Sequence, residues 1–136
     1  MSYWVIGILV FLLVDFLFVL WIFVKRSRGK NLGTKQMQYI KSHWIRIIDS
    51  FSANPKNAVM DADKLLDYAL KCHGFEGSLG EKMKKAGPRF SDLDGIWNAH
   101  KLRNRLAHEL GDVPMSECKR ALAQFKKALN NLGAGL

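Results

Sequence analysis

The stretch from Tyr3 to Val24 holds 22 residues and a single acidic or basic side chain, Asp15. A helix that is apolar all round has no polar face to turn to water, so it belongs in a core or in lipid. At 1.5 Å per residue it would run about 33 Å, enough to cross a hydrocarbon layer of about 30 Å. Asp15, near the middle, opposes insertion by about 2.5 to 3.5 kcal/mol, whereas the Val, Ile, Leu and Phe residues favour it by roughly 5 to 10 kcal/mol in sum. The balance predicts a membrane-spanning helix. A cleaved leader fits less well, because it wants a basic start, a shorter apolar core and a small-residue cleavage site.

The flanks predict its direction. Met1 and Ser2 carry no side-chain charge, while Lys25, Arg26, Arg28 and Lys30 follow the span at once, which places the amino terminus outside and the remainder in the cytoplasm of a single-pass protein of the cell membrane. Tyr3, Trp4 and Trp21 suit the interfacial aromatic belt. The chain thus divides into an anchor over 1–24, a basic linker over 25–33 and a folded part over 34–136. Its formal charge is +9, and between Lys25 and Arg46 lie seven basic residues and no acidic one. Lys25, Arg26, Arg28, Lys30 and Lys35 are therefore candidates for contact with anionic lipid or RNA phosphates, if they do not simply fix the topology. Asp15 reads either as a tolerated residue of a single anchor or as a polar contact to a partner helix.

Beyond the linker the periodicity is helical throughout. Met37, Ile40, Trp44, Ile47, Ile48 and Phe51 share a stripe from Thr34 onward, and Asn54-Pro55 opens a second helix that stops at Gly74. Ser78 to Glu81 fits a capping box, and Gly87-Pro88 ends the short helix it starts. A fourth helix begins near Ser91 to Asp94 and runs to Leu110. The last, from about Pro114, carries Met115, Cys118, Ala121, Leu122, Phe125, Leu129 and Leu132 on one side. This predicts an all-α protein: one transmembrane helix, then a cytosolic bundle of four to five helices. Cys72 and Cys118 read as buried thiols rather than a disulfide, and Asp61, Asp63 and Asp67 as a solvated face. His43 and His73 have no ligand spacing, so neither a metal nor another cofactor is expected.

One helix carries chemistry. With Trp97 set at zero and about 100° per residue, Ile96, Ala99, Leu102, Leu106, Ala107 and Leu110 fall on a core arc, and His100, Asn104, Trp97 and His108 line its margin. Lys101, Arg105, Asn98 and Glu109 take the solvent arc. Arg103, at about 240°, points into the apolar arc, where a guanidinium needs a carboxylate, a carbonyl or a bound anion. Such a ridge either forms a groove for a phosphodiester, with Arg103 on the phosphate and a neutral His taking a 2′-OH proton, or is a polar network that buttresses the bundle.

The run Arg103-Asn104-Arg105-Leu106-Ala107-His108 resembles the Arg-Asn-x-x-x-His motif of the HEPN superfamily, as do the helical context from Met37 to Leu132 and the Asp61 to Asp67 helix with its glycine-rich turn. The resemblance implies a small, often dimeric helical bundle and, in many members, a metal-independent ribonuclease. Carried over by position, Arg103, Asn104 and His108 would be the catalytic set; His100 and Glu109, local features of this helix and not part of the motif, are given a supporting role. A homodimer, RNA and an antitoxin-like or other protein partner follow as expected associates. The alternative is a non-catalytic, dimerising interaction module that tethers a partner to the membrane; a self-associating anchor centred on Asp15 is a third reading.

Overall fold

A computed structural model describes residues 2–28, 31–108 and 111–136, and the side chains of all of these except 26–28. Helix α1 spans Tyr3–Arg28 and stands clear of the rest along its apolar length, with no part of the stretch Tyr3–Lys25 buried against protein. It is long and apolar enough to cross a membrane. Lys25 folds back over the Trp21 ring, its Nζ 4.9 Å from the centroid, so the charge lies beside an aromatic at the end of the apolar stretch.

The remainder is a helical bundle. Helices α2 (Thr34–Ser50), α3 (Pro55–Cys72), α5 (Leu93–His108) and α6 (Met115–Asn131) pack together, and α4 (Leu79–Lys85) with a 3₁₀ turn at Gly87–Arg89 caps one side; no strand occurs among the described residues. Local chemistry sets the boundaries. Asn54 caps α3, its side chain accepting from the Asn57 amide at 3.2 Å, with Pro55 at the first helical position. Gly74, at φ 89°, takes the left-handed conformation that ends α3. Ser78 accepts from the Glu81 amide to start α4, and Asp92 accepts from the Gly95 amide at 3.0 Å to start α5.

Helix α3 is the hub, touching α2, α4, α5 and α6. Its Ala58, Val59, Ala62, Leu66, Ala69 and Leu70 are fully buried, and they meet Ile40 and Ile47 of α2, Ile96 and Ala99 of α5, and Phe125 and Leu129 of α6 in one core. Each large side chain in such a core stabilises by about 1.5 to 3 kcal/mol through burial. Three residues expected inside stay out: Ile48 is 48% exposed, Met115 is 49% exposed, and Ala107 is also exposed. All three sit at the edges of their stripes, where no neighbouring helix covers them. Cys118 is buried, and burial raises its thiol pKa, with Glu117 adding to the rise and Lys56 opposing it; Cys72 is only half-buried.

The helices alternate in direction, and this fixes what lies at each pole. Ser91, just before α5, is hydrogen-bonded through its amide to Asn131 at the end of α6, while Leu132 accepts from His73 at the end of α3. The 3₁₀ turn beside these ends is also where α1 touches the bundle. At the opposite pole Lys56, at the start of α3, lies 3.9 Å from Asp112 in the loop after α5. Helix α5 therefore runs from the pole that touches α1 to the far one, about 24 Å over its 16 residues.

Candidate functional site

The side chains of the α5 motif do not all go where a helical wheel sends them. Arg103 does turn inward, and what it finds is Asp63 of α3, a carboxylate with only 4% of the residue exposed. Asp63 thus leaves the solvated face expected for it: residues at 61, 63 and 67 span more than half a helical turn, so only Asp61 is turned to water. Asp67 is half-buried and accepts at 2.7 Å from Lys82 Nζ, itself 4% exposed. An ionised carboxylate in a core needs partners to offset its lost hydration. Asp63 has two.

His100 Nδ1 donates to Asp63 Oδ1 at 2.8 Å, which fixes the tautomer and the plane of the ring. Arg103 Nε lies 3.4 Å from Asp63 Oδ2. That is close enough for an ion pair but not aligned as a hydrogen bond, so the buried Nε–H is unspent. Arg103 Nη1 donates instead to Asn104 Oδ1 at 3.1 Å. The Arg103 side chain is 27% exposed, so its outer edge reaches the surface beside Asn104. The Trp97 ring meets His100 edge to face, with centroids 6.1 Å apart, and rests on Gly80 of α4, where a Cβ would come within 3.3 Å of it.

His108 stands in the last turn of α5 and is exposed. Among the described residues no hydrogen bond joins it to Asn104 or Arg103, so the motif is not a closed network. The structure brings together Asp63, His100, Arg103 and Asn104, and leaves His108 open at the far pole. Glu109 and Lys30 lie outside the described residues, as do the side chains of Arg26 and Arg28. Lys25 and Lys35 are exposed, and Asp15 lies exposed midway along α1, apart from the motif. Among the described residues no cluster of three or more His, Cys, Asp and Glu has the arrangement of a metal centre.

A second histidine network was not legible in the sequence. His73, 2% exposed, donates from Nε2 to the Leu132 carbonyl at 2.7 Å and accepts at Nδ1 from Arg89 Nη1 at 2.6 Å. Burial lowers the Arg89 pKa from its usual value. His43 stacks on Tyr39 with centroids 3.9 Å apart and bonds the Tyr39 carbonyl through Nδ1.

The larger cavities lie to other sides of the motif. One of about 510 Å³ lies beside Asp67, Gly74 and Lys82, one of about 470 Å³ opens between α2 and α3 beside Tyr39 and Tyr68, and one of about 410 Å³ lies between α5 and α6. The motif occupies an open face. Comparison with known proteins finds no family model, no curated protein and no solved structure that matches this chain.

Proposed function

We propose that the chain is a membrane-anchored, HEPN-like domain that acts on RNA at the cytoplasmic face, as a metal-independent endonuclease. The observation that carries the reading is the buried Asp63, which holds His100 by a hydrogen bond and Arg103 by an ion pair while part of Arg103 remains at the surface. A fixed, partly exposed guanidinium is suited to a bidentate grip on a phosphodiester. The exposed His108 supplies an imidazole to act as the base. In the proposed step His108 takes the ribose 2′-OH proton, the oxygen attacks the adjacent phosphorus, and the bond to the 5′-oxygen of the next nucleotide breaks. The products are a 2′,3′-cyclic phosphate and a 5′-hydroxyl that recovers a proton. Asn104 restrains Arg103, and His100 keeps Asp63 in place.

Helix α1, with basic residues after it, acts in this reading as a single-pass anchor with its amino terminus outside. Because α5 runs away from the pole that α1 touches, His108 is presented toward the cytosol. The test uses the full chain in detergent with mixed single-stranded RNA and EDTA, beside Arg103→Ala and His108→Ala. The parent is expected to cleave and leave cyclic-phosphate ends, and both variants to be inactive. Intact RNA with folded parent protein would end the enzyme reading.

A second reading is favoured by the exposure of Ala107 and His108 at the end of α5. There Asp63, His100 and Arg103 brace α3 against α5, and the ridge of half-buried Asn104 and exposed Ala107 and His108 meets another protein or a second copy of this chain. In that case Ala107→Arg, at an exposed position on the ridge, breaks the association in cross-linking while leaving the melting temperature unchanged.

A further inference from the structure

We propose that the side of the bundle formed by α2 and α6 docks on the acidic phospholipid surface of the bilayer in which α1 is held. Outside α1, the large apolar side chains that stand exposed among the described residues are Tyr39, Ile45, Ile48 and Met115. Tyr39 packs against the rings of His43 and Tyr68. The other three share a face. Ile45 and Ile48, 60% and 48% exposed, are i, i+3 neighbours on α2, and Met115 stands one turn before Lys119 on a single ridge of α6. Between the two helices runs a groove of about 290 Å³ with Trp44, Phe51 and Leu122 along it. Exposed apolar residues scattered singly need no explanation, but a set gathered around an apolar groove marks a contact surface.

The edges of the groove decide the occupant. Lys119 and Lys126 line its α6 side, and Lys41 is exposed one turn before Ile45; Asp49, one turn after Ile45, is the acid on that stripe. Lysine stems cover apolar surface while their ammonium groups reach outward. An apolar strip edged by lysines is complementary to a surface with anionic headgroups above an apolar interior. Against a second copy of the same face it would set lysine against lysine, which disfavours that pairing. Only residues 29–33 separate α1 from α2, so the start of α2 is held within about 22 Å of the end of α1, and lipid is always near. Helix α3 packs against α2, α5 and α6, and α5 against α6, so the α2–α6 groove and the α3–α5 seam lie on opposite sides. Docking by the groove leaves Asp63, His100 and Arg103 on the cytosolic side. The inference rests on the membrane reading of α1 and not on RNA cleavage.

Nitroxide labels on the full chain test this, with Cys72→Ser and Cys118→Ala as background and one new cysteine at a time: Val14→Cys in α1, Ala123→Cys at the groove, and Lys84→Cys on α4. Power-saturation electron paramagnetic resonance compares collision with oxygen, which concentrates in lipid, and with a water-soluble nickel chelate. The nanodiscs are phosphatidylcholine alone or with about one third phosphatidylserine. At position 14 oxygen is expected to dominate in both, as a spanning α1 requires. At position 123 the oxygen-to-nickel ratio is expected to rise about threefold or more with phosphatidylserine and to fall back in about 1 M salt, while position 84 stays in water. Lys119→Glu with Lys126→Glu, and separately Ile45→Ser with Ile48→Ser, should each abolish the rise, and melting curves establish that both variants are folded. A label at 14 that stays in water overturns the anchor and this inference with it. A label at 14 in lipid, with equal ratios at 123 in the two lipids, overturns the docking alone. So does a rise that survives the lysine substitutions or is matched at position 84. Dipolar broadening between labels at 123 in both lipids would give the face to a second copy and overturn the docking as well.

Discussion

Among the described residues of this bundle two His–Arg pairs occur, and they differ in what they converge on. At the pole touched by α1, Arg89 donates into His73, and His73 donates in turn to the Leu132 carbonyl, so this chain of bonds reaches the backbone. In the middle of α3 and α5, His100 and Arg103 both address one carboxylate, Asp63, and the guanidinium keeps a donor unspent and an edge at the surface. The first is a clasp tying α3, the 3₁₀ turn and the carboxyl-terminal segment together. The second has the makings of a site. The same two residue types thus serve different ends, and the partner decides which.

The largest test of that contrast is Asp63→Ala, expected to lower unfolding free energy by about 3 kcal/mol in urea titration, because it leaves two cationic or polar groups facing an empty pocket. Asp63→Asn, which keeps an acceptor for His100, should lose less. Equal and negligible losses would show that the carboxylate anchors nothing. His73→Ala is expected to cost about 2 kcal/mol by removing two buried hydrogen bonds. It should leave RNA cleavage unchanged, and a fall in cleavage at full folding would erase the distinction between clasp and site. In that variant Cys72, the neighbour of the clasp, should alkylate faster. Cys118 should stay slow, since burial keeps its thiol protonated to higher pH than usual.

Smaller changes sharpen the comparison further. Arg103→Lys preserves the charge but not the fork, with an expected stability loss of about 1 kcal/mol and loss of RNA cleavage. His108→Ala should shift stability by no more than about 0.5 kcal/mol, because the residue is exposed, while abolishing cleavage. A stability loss several times larger would place His108 in the buttress instead.

Much of the helical framework was legible because its signals are local. Asn54-Pro55, Ser78 with Glu81, and Gly74 each act within one turn, and each marks a boundary of an observed helix. Arg103 was legible in part, since a guanidinium in an apolar arc requires an acceptor somewhere. Which acceptor was not, because Asp63 lies 40 residues away and looks no different in sequence from Asp61. Lys82 and His73 were missed for the same reason: a buried polar side chain is recognisable only beside the partner that satisfies it. Ala107 went the other way, apolar and near the stripe yet uncovered by any neighbour.

The shortness of the connection between α1 and α2 has a consequence of another kind. Only residues 29–33 lie between them, a reach of at most about 22 Å even when fully extended. If α1 is held in a bilayer, as proposed, the bundle can neither explore the cytosol nor turn over freely. Two copies would then meet by surface density rather than bulk concentration, so that expression level and membrane area, more than intrinsic affinity, would set how often one open ridge encounters another.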